Sequence, residues 1–333
     1  MSTQESRFKL QSFNDILNLP DPEFLIEGML VKDSFAVIYG PSGLGKTFLG
    51  LSIAFAVATR TSWNGKAVNG GSVVYVSAEG KAGLKDRSRA LQQHNECSDE
   101  PPFWFLTEAV NFLELAQIND LINEIKKLAE RPALIIVDTL ARSFVGGNEN
   151  DAKDMGLFIF GIDTLRRATG ATVLVIHHTG KDKKSKERGS SALRGSADTM
   201  ISCDGEMGVL TVECDKQKDD EEFKTFNLAL RKVELKNGRS SCVLVPWGEV
   251  AKPSSGTDAK DEEILSVLEK DFGTDGGTAT EWQRACKEKI GVPHKTFYNR
   301  LSKLKVLELV VLEGDRQGAR YRVAKSEPVP VPD

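Results

Sequence analysis

The chain has 333 residues, of which 40% are hydrophobic and 28% charged, and its formal net charge is −4 at pH 7. That is enough apolar chain for one large α/β domain and a small one, and the charge balance excludes a globally basic nucleic-acid binder, so any DNA contact has to come from local patches. Cys97, Cys203, Cys214, Cys242 and Cys286 are scattered without a C-x-x-C pair, which argues against a zinc or redox pair and for reduced thiols in a cytoplasmic protein.

Residues 1–30 read as an N-terminal arm that begins without the apolar core of a signal peptide. Phe13, Ile16, Leu17 and Leu19 make it amphipathic, fit to pack on a neighbouring chain or on its own domain. Residues 35–39 are apolar almost throughout and predict a short buried strand. They run into Gly40, Pro41, Ser42, Gly43, Leu44, Gly45, Lys46 and Thr47, a full match to G-x-x-x-x-G-K-[ST], and then into a buried helix over 48–58. Strand, glycine loop and helix is the order a P-loop requires. Successive N–H groups and the positive helix end cradle a phosphate, Lys46 reaches the β- and γ-phosphates, and the Thr47 hydroxyl ligates Mg²⁺. ATP and Mg²⁺ are therefore the expected cofactors. A structural glycine turn is the alternative that this context disfavours.

Further along, strands are expected at 72–77, 103–106, 133–137 and 171–176, and helices at 81–94, 115–130 and 152–168. Leu115, Ile118, Leu121, Ile122, Ile125 and Leu128 fall on one face of the second of these helices. Such alternation means a mostly parallel sheet covered by helices. Between 198 and 247 the pattern turns to strands, including 208–213 and 224–235, fit to extend the sheet in antiparallel fashion. The main domain is thus placed at 31–250. Residues 251–258 are rich in Pro, Ser and Gly and read as a linker. Residues 259–324 predict three helices followed by a hairpin, a small winged helix-turn-helix domain, with Thr280 and Gln283 as the capping box of the middle helix. The 325–333 tail reads as disordered. No segment is long enough to cross a membrane.

Several polar residues close apolar strands. Asp138 follows 134–137 and is placed to hold the Mg²⁺ shell, or alternatively to cap a turn with Thr139. Glu79 follows the 73–77 strand and could orient an attacking water, or be a solvated loop residue. His177 and His178 end another strand, and alternation sends their side chains to opposite faces, so one at most faces a γ-phosphate. Lys181, Lys183, Lys184 and Lys186 lie in the basic loop that follows, either a solvated face or a contact for a phosphate backbone. In the C-terminal unit the stretch 289–305 carries Lys289, Lys295, Arg300, Lys303 and Lys305 without an acidic residue. With Tyr298 and Asn299 it fits a recognition helix, and Arg316, Arg320 and Arg322 on the hairpin a second strip, unless this unit contacts protein instead.

The motif set Gly40 to Thr47, Val76-Ser-Ala-Glu79, Ile135-Ile-Val-Asp-Thr-Leu-Ala-Arg142, His177-His-Thr-Gly-Lys181 and Arg188-Gly-Ser-Ser-Ala-Leu193 resembles that of the RecA-like ATPases grouped with the plasmid replicative helicase RepA, whose relatives are common in phages. The resemblance covers roughly residues 24–247. It implies a water-activating role for Glu79, a Walker B role for Asp138 and a polar sensor at His178, with His177 second. It also implies rings, usually homo-hexamers, with ATP between subunits and DNA facing the loops 143–151 and 181–190. A ring needs a cation lent by the neighbouring subunit. Arg188 and Arg194 are candidates, with Lys216 and Lys218 as rivals, and Arg194 and Lys216 stand level. The expected function is a DNA-dependent ATPase acting as a replicative or recombination helicase. The alternatives are an ATP-switched DNA-loading factor that does not unwind and a small-molecule kinase.

Overall fold

The structure is a computed structural model that describes residues 10–77, 81–179, 191–206, 208–218, 220–247, 259–306, 309–313 and 319–324. The linker and the tail fall outside these residues. Ser12 caps a short helix α1 (Phe13–Leu17) through a capping box with Asp15, and none of its residues is buried. A hairpin of β1 (Phe24–Ile26) and β2 (Leu30–Val31) follows. The sequence grouped these residues with the arm, yet Leu25, Ile26, Met29 and Leu30 are fully buried in the main core.

The chain then alternates as expected: β3 (Phe35–Pro41), α2 (Lys46–Thr59), β4 (Ser72–Ser77), α3 (Lys81–His94), β5 (Phe103–Leu106), α4 (Leu115–Ile125), β6 (Pro132–Asp138), a 3-10 turn (Leu140–Ser143), α5 (Ala152–Thr169) and β7 (Thr172–Thr179). Helix α4 stops five residues short of the predicted end, and Leu115 at its start is exposed rather than inward. A short α6 (Ser191–Ser196) leads into β8 (Thr199–Glu206), β9 (Val209–Gln217), β10 (Phe226–Glu234) and β11 (Ser240–Pro246). One nine-stranded sheet results, in the order β11-β10-β9-β8-β3-β7-β6-β4-β5. The strands from β8 to β5 are parallel, and β9, β10 and β11 extend the sheet antiparallel from β8. This is an α/β fold built on a mostly parallel sheet with an antiparallel extension. From β3 the chain runs one way to β4, β6 and β7 and returns on the other side to β8, so the order reverses at β3. In open α/β sheets the carboxyl ends of strands at such a switch point are where ligands bind.

Alternation along the strands splits the core in two. Ala36, Ile38, Tyr75, Leu134, Ile136, Leu174 and Ile176 pack on one face with α2 and α3. Phe35, Val37, Val76, Ile135, Val137 and Val175 pack on the other with α4 and α5. Trp63 belongs to the first cluster and donates its indole N–H to Ser52 at 3.0 Å. Among the described residues no helix is long and apolar enough to cross a membrane.

The C-terminal elements are α7 (Ala259–Phe272), α8 (Ala279–Ile290), α9 (His294–Val306) and a hairpin of β12 (Val310–Glu313) with β13 (Arg320–Val323). An isolated bridge joins Gly277, ahead of α8, to Tyr321. The capping box of α8 is Thr278 with Glu281, not Thr280 with Gln283. Trp282 centres this core, donating to the Ile264 carbonyl at 3.0 Å and meeting Phe297 edge-on.

Two glycines of α5 make opposite demands. A Cβ on Gly161 would lie 2.4 Å from the Phe112 carbonyl oxygen, whereas one on Gly156 meets nothing within 4 Å. Gly156→Ala should stabilise the protein by about 0.5–1 kcal/mol, the usual gain inside a helix. Gly161→Ala should destabilise it by about 1–3 kcal/mol through overpacking. Urea unfolding of the pair checks the opposite signs.

Candidate phosphate-binding site

Strand β3 passes so close to β8 that its end has to be glycine. A Cβ on Gly40 would sit 2.1 Å from the Cys203 carbonyl oxygen. The loop then turns through Gly45, at φ +96°, which is the N-cap of α2. Lys46, the first residue of α2, is 2% exposed. Its Nζ donates to the carbonyls of Gly40 at 2.8 Å and Pro41 at 2.7 Å. Burial pushes the Lys46 ammonium down to about 8, against the pull of the Asp138 carboxylate. Thr47, the next residue, is half-buried.

Asp138 ends β6, is 1% exposed, and accepts a 2.7 Å hydrogen bond at Oδ2 from the Tyr75 hydroxyl of β4. It lies in register with Ser77 and Ile176. Gly40, Asp138 and Ser77 continue the alternation of the α2 face, and so does His178, which pairs with Gly40 in the sheet. His177 belongs to the opposite face. It is buried, with Nδ1 3.9 Å from Glu149 Oε2. Burial first, then His178 and Lys46, push its imidazole down to about 4, while burial raises the Glu149 carboxyl. His177 is therefore neutral at pH 7. The alternation expected from sequence thus puts His178, not His177, beside the P-loop.

Glu79, Lys181, Lys183, Lys184, Lys186, Arg188 and Arg316 lie outside the described residues, as do the side chains of Asn299 and Lys303. The loop 143–151 carries Glu149 and Asp151 but no lysine or arginine, so it brings no positive charge to a phosphate backbone. Arg194 is exposed at the end of α6 and pairs with Asp215 of β9. Lys216 Nζ instead donates to the carbonyls of Arg194, Gly195 and Ala197 at 2.8, 3.4 and 2.6 Å, so it pins the end of α6. The two level candidates thus differ in their partners, Lys216 being bonded to backbone and Arg194 to a carboxylate. Lys218 reaches Asp198 at 3.5 Å.

In the C-terminal unit Arg300 turns inward to the fully buried Asp261 at 2.5 Å, which makes it a strut between α7 and α9 rather than part of an outward strip. Lys289 pairs with Asp271, Arg320 with Glu281 and Arg322 with Glu313. Lys295 is exposed on α9. Sequence reasoning passed over Tyr75, Tyr39 and Asp215. The phenol of Tyr75 in an otherwise aliphatic strand was the available signal. Nothing local marked the other two.

The chemistry of this edge fits a magnesium nucleotide. A buried ammonium bonded to loop carbonyls can turn to phosphate oxygens, and the Thr47 hydroxyl and Asp138 carboxylate are the hard oxygen donors Mg²⁺ prefers. Among the described residues no group of three or more His, Cys, Asp or Glu could hold a metal by itself. Residues 3–184 match the family model described as AAA domain. The chain belongs to the AAA domain family. With its P-loop, this AAA-domain chain is an ATPase of the P-loop type. No curated protein matches it. Among solved structures it is similar to the ATPase domain of G40P, at 14% identity and TM-score 0.45, covering 64% of this chain and 85% of that one. It is also similar to a DnaB-like replicative helicase described with its interactions with primase, at 14% identity and TM-score 0.42. That match covers 60% of this chain and spans 55% of the helicase's length.

Tyr75→Phe should lower stability by about 1–3 kcal/mol at pH 7, because it strips a donor from a buried carboxylate. Unfolding in urea measures this, and an unchanged midpoint would remove Tyr75 as the support of Asp138.

Proposed function

We propose that this chain is a ring-forming DNA-dependent ATPase that acts as a replicative or recombination helicase. The observation that carries the reading is the buried Lys46, held in the glycine loop on the same sheet edge and face as Asp138. In this reading the loop N–H groups and the start of α2 bind the phosphates. Lys46 leaves its carbonyls for the β- and γ-oxygens and neutralises charge that builds on the transferred phosphoryl group. Thr47 and, through its water shell, Asp138 would hold Mg²⁺, which supplies electrostatic stabilisation when bound. Glu79 orients the attacking water, and His178 senses the γ-phosphate.

A ring is supported by the position of Arg194. It belongs with Tyr39 and Asp215 on the face opposite α2, so it is turned away from its own phosphate edge and is free to serve a neighbour's. Contact with DNA is assigned to the basic loop of Lys181, Lys183, Lys184 and Lys186, and to a C-terminal winged helix through Lys295 and Lys303. Arg300 is left to stabilise that unit.

Lys46→Ala should abolish turnover while leaving the protein folded, with a cooperative urea transition. Unchanged turnover would rule out this pocket. Single-stranded DNA should stimulate hydrolysis, and strand displacement should accompany it. DNA binding with ATP but no displacement identifies a loading factor, and hydrolysis indifferent to DNA sinks the nucleic-acid reading.

The lowered ammonium of Lys46 has a further consequence. A bound triphosphate raises its pKa again, so ATP affinity should be flat below pH 8. Above pH 8 the free protein has lost that proton and must regain it to bind, so affinity should fall by up to about tenfold per pH unit. Equilibrium binding of a non-hydrolysable ATP analogue from pH 6.5 to 9.5 would read this, and a flat profile would contradict a buried, phosphate-seeking Lys46.

A further inference from the structure

Strand β9 is irregular where it passes α6. Met200 pairs with Lys216 and Ile201 with Cys214, so Asp215 is an extra residue with no partner in the ladder. Leu210 and Val212 of β9 belong to the α2 face of the sheet, and Met200 belongs to the other. In a regular strand Asp215 and Lys216 would point to opposite faces. The bulge lets both serve the same side, and bulges elsewhere re-aim side chains next to active sites in this way.

Both residues act on Arg194. Lys216 fixes its backbone by donating to the carbonyls at the end of α6. Asp215 fixes its guanidinium twice. The carboxylate takes Nη1, and the Asp215 main-chain oxygen takes Nη2 at 3.1 Å. An arginine has five N–H donors in a rigid fork, so this grip leaves the remaining donors for another acceptor. The Arg194 side chain as a whole stays about half exposed, at 53%. The same carboxylate accepts the hydroxyl of Tyr39, which also meets Ser202. Tyr39 is the residue before Gly40, at the end of the strand that feeds the P-loop.

We infer that Asp215 is a positioning residue for Arg194: on its bulge it clamps the guanidinium in the orientation offered to a neighbouring subunit and ties it, through Tyr39, to the P-loop strand of its own subunit. This rests on the reading of Arg194 as the cation lent in trans. The clamp holds the fork at a fixed angle, so a shift of β3 when phosphates fill the loop is passed to the arginine that serves the next site. Asp215 touches no substrate and acts only through Arg194.

A double-mutant cycle on the full-length assembled protein tests the inference, reading kcat and ATP-analogue affinity separately. Arg194→Ala should lower kcat by about 10³-fold. Asp215→Asn should lower it by about 10–100-fold, as misplacement of a catalytic group does. Tyr39→Phe should lower it by about 2–5-fold, the worth of one hydrogen bond. Analogue affinity should hold within about twofold in all of them, since only transition-state contacts are lost. The double variant Asp215→Asn/Arg194→Ala should be no slower than Arg194→Ala, and Asp215→Glu should recover part of the loss. If the double variant shows the product of the single effects, or if Asp215→Asn keeps the parent kcat, the clamp is wrong while the trans reading of Arg194 survives. If Arg194→Ala keeps the parent kcat, the trans reading itself fails. Should Asp215→Asn not fold, the Tyr39→Phe/Arg194→Ala cycle asks the same question with one hydroxyl, and additivity there overturns the coupling.

Discussion

A buried ammonium has to be met by oxygen. Lys46 is enclosed at the start of α2, and the oxygens that meet it are main-chain carbonyls of the loop it belongs to. Leaving such a charge unmet in an apolar interior is expensive enough to shift the proton instead, and the lowered ammonium records that tension. The rest of the edge is arranged around this contact. The β3–β8 approach forces glycine at position 40, the turn forces glycine at position 45, and Tyr75 steadies the carboxylate of Asp138 on the same face.

The sheet separates two kinds of polar chemistry by the simple alternation of its strands. One face, under α2, gathers Lys46, Asp138 and His178 at the carboxyl ends of β3, β6 and β7. The other gathers Tyr39, His177 with Glu149, and the Asp215–Arg194 pair. Adjacent residues such as Tyr39 and Gly40, or His177 and His178, therefore serve opposite sides. A single strand end can touch a phosphate on one side and carry a mechanical link on the other.

Much of this was legible in the chain. Fully buried parallel strands are continuous apolar runs, and β3, β4 and β6 each contain the predicted run, while β7 contains all of it but Ala171. The P-loop and Asp138 were fixed by their place at strand ends. What escaped depends on contacts between distant residues. Strand β8 is interrupted by Ser202, Asp204 and Gly205, so it lacks a clean period, and its pairing with β3 and β9 is what identifies it. The bulge at Asp215 is a mismatch of register between two strands, invisible in either alone. Arg300 looked like one more cation in a basic run because its partner Asp261 lies 39 positions earlier, beyond the reach of a local pattern. At α8 two threonines competed for the same cap, and the chain chose the one three residues before a glutamate.

The indoles are distributed in a way that makes the molecule its own reporter. Trp63 sits in the core under α2, and Trp282 sits at the centre of the C-terminal helices, while Trp104 on β5 stands half exposed and Trp247, just after β11, is partly buried. Emission from the two enclosed rings should shift to the red as each core opens, and the more open Trp104 and Trp247 should respond less. Replacing one enclosed indole at a time by phenylalanine would let melting of the nucleotide-binding body and of the C-terminal body be followed separately in one intact polypeptide.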